Sequence, residues 1–174
     1  MYTGEQRTRA VAIKELHRSD KESSEESFEK FDEFKREVFI MSCLKHECLV
    51  QLYGITTNPL QMILEYVPKG NLYHLLHSDR DISIEYTLKI CRDVAMGMQY
   101  LHHAMTPPVV HRDLRSPNVF IANFSKRPHT ISAKVADFGM SRYSSSSSFS
   151  SPPPPPPYYY YYYYYYYYYY YYYY

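Results

Sequence analysis

The chain has 174 residues, 19 basic and 18 acidic, for a net charge of +1; that balance gives no electrostatic reason to bind nucleic acid or an anionic membrane. No apolar run approaches the roughly 20 residues that a bilayer span needs, and no basic stretch followed by an apolar one opens the chain as a secretory signal would. The cysteines Cys43, Cys48 and Cys91 form no CxxC pair and suit small buried thiols in a reducing compartment, which places the chain in the cytoplasm.

Ala10-Val-Ala-Ile13 is a short β-prone run and predicts a strand. The polar stretch His17–Glu25 follows as a loop. Ser23-Ser-Glu-Glu26 has the spacing of a capping box. Beyond it Phe28, Phe31, Phe34, Val38 and Met41 recur every three or four residues among charges, predicting an amphipathic helix of roughly five turns. Leu49–Ile55 and Leu60–Val67, separated by Thr56-Thr-Asn-Pro59, predict two strands of a hairpin. Pro68-Lys-Gly70 interrupts, and Asn71–His77 is a short helix. Ile84, Leu88, Cys91, Ala95, Met98 and Leu101 mark the buried stripe of a long helix, which ends before Pro107-Pro108 because proline cannot extend it. Strand-like fragments at Val109-Val110, Val119–Ile121 and Ala133–Ala136 complete an α+β pattern with a sheet-rich half and a helical half.

From Ser144 onward only Ser, Phe, Pro and Tyr occur, ending in Pro152–Pro157 and 17 consecutive tyrosines. Without those 17, 15 aromatics remain in 157 residues, so the high aromatic content belongs to the tail and not to a core. Homopolymer runs encode no packed core; residues 144–174 are expected to be a disordered low-complexity tail, most simply translated simple-sequence DNA. Six prolines can also form a polyproline II ligand for an SH3-like or profilin-like partner.

Four elements carry chemistry. Val11-Ala-Ile-Lys14 ends a strand with a lysine, and Glu37 lies in the first helix. His111-Arg-Asp-Leu-Arg-Ser-Pro-Asn118 is a polar loop, and Asp137-Phe-Gly139 follows a strand. In this order the elements resemble the protein-kinase signatures VAIK, the helix glutamate, HRDLxxxN and DFG. The reaction this resemblance implies, phosphoryl transfer, needs a polyphosphate held in line and its charge neutralised. A lysine fixed by a helix carboxylate, two oxygen ligands for Mg²⁺ and an aspartate near the acceptor hydroxyl would supply this.

The resemblance implies an α+β, protein-kinase-like bilobal fold that binds ATP and Mg²⁺ and phosphorylates a protein substrate. Lys14 would bind phosphate and pair with Glu37. Asp113 would be the catalytic base, and Asn118 and Asp137 the Mg²⁺ ligands. Arg115 stands where serine/threonine kinases usually have a lysine near the γ-phosphate; it keeps the charge but changes the donor geometry. Leu64 matches the gatekeeper, the backbones of Glu65 and Val67 the adenine hinge, and Ala12 and Phe120 the apolar groups on either side of adenine. Met41, Leu52, His111 and Phe138 match the spine that joins the lobes. The loop sequence is similar to that of the tyrosine-kinase-like group of serine/threonine kinases. Phe34–Ser42, Asn71–His74, Val110–Val119, Ala133–Gly139 and the insert Ala122–Ser132 resemble Roco-family, leucine-rich-repeat-kinase-like domains.

The departures shape the remaining expectations. Only Gly4 precedes Lys14 where a Gly-rich loop would lie, Met1–Gly4 resembles the strand after that loop, and the likeness stops near Arg142. Residues 1–143 are therefore expected to be a partial kinase domain, without the Gly-rich loop, the activation segment or the later helices, and of weak or no activity. The apolar face of the long helix Ile84–Met105 would then lie exposed, an aggregation risk. The alternatives are a non-catalytic ATP-binding regulatory module and a Pro-rich interaction protein. Cys43, His46 and Cys48 lack zinc-knuckle spacing and a fourth ligand, and His46 is expected to serve the helix-to-strand loop structurally.

Overall fold

The computed structural model describes residues 10–16, 23–124 and 130–144. The expected strand at Met1–Gly4, most of the His17–Glu25 loop, the centre of the Ala122–Ser132 insert and the tail from residue 145, with Pro152–Pro157, lie outside the described residues.

The first strand, β1 (Val11–Glu15), lies at the edge of a three-stranded antiparallel sheet of order β1-β3-β2, with β2 spanning Leu52–Thr57 and β3 Leu60–Glu65. Register is set by the tight Asn58-Pro59 turn, so that Thr57 faces Leu60 across β2–β3, and Ala12 and Lys14 of β1 face Leu64 and Met62 of β3. The hairpin is shorter than the sequence pattern predicts at its start. Leu49 and Val50 leave this sheet and bond instead to Val135: Val50 N–H donates to the Val135 carbonyl (2.9 Å), and Val135 N–H to the Cys48 carbonyl (2.8 Å). These bonds join the sheet half to the helical half.

Helix α1 (Ser24–Cys43) begins where the capping box predicts. Ser23 Oγ accepts the Glu26 N–H, and the Glu26 carboxylate accepts the Ser23 N–H, satisfying two N–H groups that a helix start leaves without intrahelical partners. Its second half is buried: Phe34, Glu37, Val38, Ile40 and Met41 are each at most 7% exposed. The predicted stripe fails at its start, where Phe28 is 54% exposed. A hydrophobic period identifies a face, but burial also needs an element opposite it, and the sheet meets only the later turns of α1.

The helical half begins with α2 (Leu72–Leu76), whose Asn71 cap accepts the His74 N–H through its side chain. Helix α3 (Ile84–Gln99) continues into a π-helical turn, Tyr100–Ala104. After it come β4 (Val109–Val110), a 3-10 turn (Ser116–Asn118), β5 (Val119–Asn123), β6 (Ser132–Val135) and β7 (Arg142–Tyr143). Strands β5 and β6 pair antiparallel, as do β4 and β7. Among the described residues no helix is long and apolar enough to cross a membrane.

The predicted buried face of α3 is corrected. Ile84 and Leu88 are 64% and 62% exposed, and Cys91 and Ala95 are exposed too. The face turned inward carries Tyr86, Ile90, Asp93 and Gly97, continued by Leu101. Helix α3 is thus apolar on two sides, and periodicity alone could not tell which one the β5–β6 ribbon covers. The uncovered side expected for this helix is present, through Ile84, Leu88 and Cys91. Asp93 fixes the choice: its carboxylate takes the Lys89 ammonium at 2.6 Å and the Ala133 N–H of β6 at 3.1 Å.

Gly97 lets the chain approach closely. A Cβ there would lie 2.9 Å from Leu49 Cδ2 and 3.1 Å from the Cys48 carbonyl oxygen. Leu49 is fully buried, and that carbonyl already accepts Val135 N–H, so neither neighbour has room to yield. Gly97→Val is expected to destabilise the chain by about 2–3 kcal/mol through overpacking, read as a lower urea midpoint at unchanged m-value.

Two clusters form the core. The larger joins α1 (Phe34, Val38, Ile40, Met41) to Leu49, Met62, Leu101, Val109, Val135 and Phe138 across both halves. The smaller lies under α2 and α3 and contains Leu75, Tyr86, Ile90, Val119, Ile121, Ile131 and Ala133.

Candidate active site

Lys14 is the fourth residue of β1 and Glu37 lies in the buried half of α1. The Lys14 ammonium donates to both Glu37 oxygens at 2.8 Å and to Asp137 Oδ1 at 3.2 Å. The sequence separations are 23 and 123 residues, so the fold, not local sequence, assembles this cluster. Burial disfavours the Lys14 charge, but the carboxylates of Glu37 and Asp137 outweigh it and hold its pKa above the ordinary lysine value. Burial also pushes the Glu37 carboxyl up, with Lys14 pulling it down. Glu37 is enclosed, with 5% of its side chain exposed, whereas Lys14 and Asp137 keep 45% and 47%. The Glu37 end of the cluster is therefore buried, while Lys14 and Asp137 are half open to solvent.

The second cluster comes from the loop after β4. Asn118 ends the 3-10 turn, and its Nδ2 donates to the Asp113 carbonyl (3.0 Å) and to Asp113 Oδ2 (2.8 Å). Asn118 is 8% exposed and Asp113 half-buried. With its nitrogen committed to Asp113, Asn118 has its amide oxygen left as an acceptor. Arg115 is exposed at the start of the same turn.

His111 holds the two clusters in relation. It is 1% exposed and its Nε2 lies 3.1 Å from the Ala136 carbonyl. Its Nδ1 accepts the Asp113 N–H at 3.3 Å, so Nε2 carries the proton and donates, and the ring is neutral. The ring lies 5.1 Å from that of Phe138, which is fully buried. Asp113 and Asp137 are thus referred to one buried imidazole. Arg112 and Asp137 both have left-handed backbone, φ 70° and 64°, uncommon for residues with a Cβ and held here by the surrounding bonds.

Burial lowers the His111 pKa below its usual value, against the opposing pull of the Ala136 carbonyl, Asp137 and Asp113. With a depressed folded-state pKa, the unfolded chain binds more protons as pH falls below about 6.5, so its contribution to stability is full above that pH and declines below it. The melting temperature is expected to drop between pH 7.5 and 5.5, and to drop less in His111→Asn. Equal slopes would mean that another group governs the acid limb.

The adenine-side candidates lie on β1, on β3 with the segment after it, and on β5. Ala12 faces Leu64 across β1–β3. Glu65 ends β3, and Val67 is buried two residues on. Phe120 lies on β5, half-buried and bridged to Asn71. Met41 and Phe138 share the larger core cluster, with Leu52 packed against it. His46 takes the expected structural place: its Nδ1 accepts the Cys48 N–H, and its ring lies 5.0 Å from that of Tyr100, tilted by 31°.

Sequence reasoning missed Asp93 with Lys89, although their i,i+4 spacing is that of a helix ion pair. It also missed the partner of the Glu65 side chain, for which no local signal exists.

A family profile described as protein tyrosine and serine/threonine kinase matches residues 1–152. The chain is 47% identical over 123 residues, 69% of its length, to the probable serine/threonine-protein kinase qkgA of Dictyostelium discoideum, and 42% identical over 122 residues, 70% of its length, to the probable serine/threonine-protein kinase roco11 of that organism. It is 41% identical over 137 residues, 76% of its length, to the serine/threonine-protein kinase CTR1 of Arabidopsis thaliana. The matched region spans 8% of each Dictyostelium protein and 15% of the Arabidopsis one. With the small antiparallel sheet, the capped α1 and the two side-chain clusters arranged around His111, these likenesses establish that the chain belongs to the protein kinase family, among relatives of the Roco and tyrosine-kinase-like serine/threonine kinases.

Proposed function

We propose that this chain binds ATP with Mg²⁺ and carries the machinery for moving the γ-phosphoryl group to a serine or threonine hydroxyl of a protein. The observation that carries this reading is the Lys14 ammonium, held at once by Glu37 and Asp137 with 45% of its side chain open to solvent. In the reading, Lys14 receives the α and β phosphates and Glu37 keeps it in place. The backbones of Glu65 and Val67 hold the adenine edge, with Ala12 and Phe120 on its two faces. Asp113 orients the acceptor hydroxyl and takes its proton as the oxygen bonds to phosphorus and ADP departs. Arg115 offers a positive charge to the transferred group. The machinery lies within residues 1–143, and residues 144–174 take no part.

The donor set suits Mg²⁺, a hard cation that prefers oxygen: Asp137 brings an exposed carboxylate and Asn118 an amide oxygen whose nitrogen is fixed by Asp113. Mg²⁺ bound there would neutralise charge on the phosphates. The unpaired thiols Cys43, Cys48 and Cys91 support a reducing location, the cytoplasm.

Thermal unfolding with and without Mg–ADP tests the reading. At a hundredfold excess over its dissociation constant the nucleotide is expected to stabilise the chain by about 2.7 kcal/mol, and Lys14→Met is expected to remove most of that gain. No shift for the parent chain would sink the proposal. A shift without phosphoryl transfer to any protein acceptor would leave a nucleotide-binding module in place of an enzyme.

A further inference from the structure

Glu65 enters the proposed site through its backbone, which leaves its side chain to be explained. That side chain turns to the other half of the molecule. Glu65 Oε2 lies 3.1 Å from the ammonium of Lys134, with only 17% and 15% of the two side chains exposed. The same oxygen accepts the Gln51 N–H at 3.3 Å, and the Glu65 N–H donates to the Gln51 carbonyl at 2.8 Å. Glu65 is thereby bound on both its backbone and its carboxylate. The pair borders a cleft of about 330 Å³ that Lys45, His46, Gln51 and Tyr53 also line, so the charges stay partly hydrated. Partial hydration limits the desolvation cost that makes fully enclosed pairs unfavourable, while restricted exposure limits the screening that makes surface pairs negligible.

The position of Lys134 gives this pair its significance. Lys134 lies on β6 directly opposite Phe120 of β5, so the two side chains share one face of the ribbon. Its neighbour Val135 makes the two backbone bonds that cross between the halves, and Ala136 N–H donates to the Asn118 carbonyl at 2.9 Å. Asp137 follows. One ion pair therefore links the segment offered to the adenine edge with the strand that sets Phe120, Asn118 and Asp137.

We propose that the Glu65–Lys134 ion pair is an inter-lobe latch, and that Lys134 is a positioning residue that fixes the adenine-binding segment against the strand carrying Asp137. The nucleotide part of this proposal rests on the ATP-binding reading above; the latch itself does not.

The experiment uses the full chain with Lys134→Met, Lys134→Arg, Glu65→Gln and the double variant Lys134→Met/Glu65→Gln. Amide hydrogen exchange is followed without nucleotide, and Mg–ADP binding by calorimetry. Lys134→Met and Glu65→Gln are expected to speed exchange at the Val50 and Val135 amides and leave the β1–β3 amides of Lys14 and Ile63 protected, which also shows that the sheet remains folded. Each is expected to weaken Mg–ADP binding by about tenfold, the double variant to be no worse than either, and Lys134→Arg to stay within about twofold of the parent. Unchanged exchange at Val50 and Val135 in both single variants would overturn the latch, whatever the nucleotide result. Faster exchange with unchanged or tighter Mg–ADP binding would overturn the positioning role. A parent chain that binds no Mg–ADP would sink the ATP-binding reading and the positioning role together, and the exchange data would still decide the latch.

Discussion

Asp113→Asn is expected to slow phosphoryl transfer from Mg–ATP to a protein acceptor by about 10²–10⁴-fold, the usual contribution of a positioned general base, with Mg–ADP affinity nearly unchanged. The substitution keeps the shape of the side chain and removes its charge and its ability to take a proton. Its partner Asn118 donates through Nδ2 to both the carbonyl and the carboxylate of Asp113; the carbonyl bond survives and keeps the loop in place. The informative comparison is rate against affinity, because a structural defect in the loop would also disturb Asn118 and lower both. A variant that retains the parent rate would remove Asp113 from the chemistry.

The largest effect on stability is expected from Phe138→Ala, at about 3–5 kcal/mol for a fully buried aromatic side chain. Phe138 is 0% exposed and belongs to the core that joins α1 to Leu101, Val109 and Val135. Its ring also lies against His111, so the cavity would open beside the imidazole to which Asp113 and Asp137 are referred. Chemical denaturation should show the loss, and Phe138→Leu, which refills most of the volume, should recover much of it. A loss below 1 kcal/mol would mean that Phe138 is not packed as described.

What the sequence made legible was of two kinds. Local chemistry was one: the Ser23–Glu26 box, the Asn58-Pro59 turn, and the His111–Asn118 and Asp137–Gly139 strings all act within a few residues. Family likeness was the other, and it paired Lys14 with Glu37, which the fold brings together; the contact of Lys14 with Asp137 was not part of that expectation. Contacts without a local pattern stayed hidden. The Glu65–Lys134 pair joins residues far apart in the chain, and nothing near either one marks the other. The face of α3 was misread for a different reason. Two apolar stripes share that helix, and the choice between them depends on Ala133 and Leu49, which approach from distant segments.

That double-sided helix bears on how the chain finds one structure and not two. Rotating α3 about its axis by about 150° would exchange its two apolar stripes with little loss of buried hydrocarbon, so hydrophobic energy alone would leave two competing packings. Asp93 and Gly97 break the tie. In the alternative packing the Asp93 carboxylate would lose the Ala133 N–H, and a side chain would stand where Gly97 now admits Leu49 and Cys48. A charged residue and an absent side chain, neither of which adds hydrophobic energy, thus favour the observed packing of α3 over its rotated alternative.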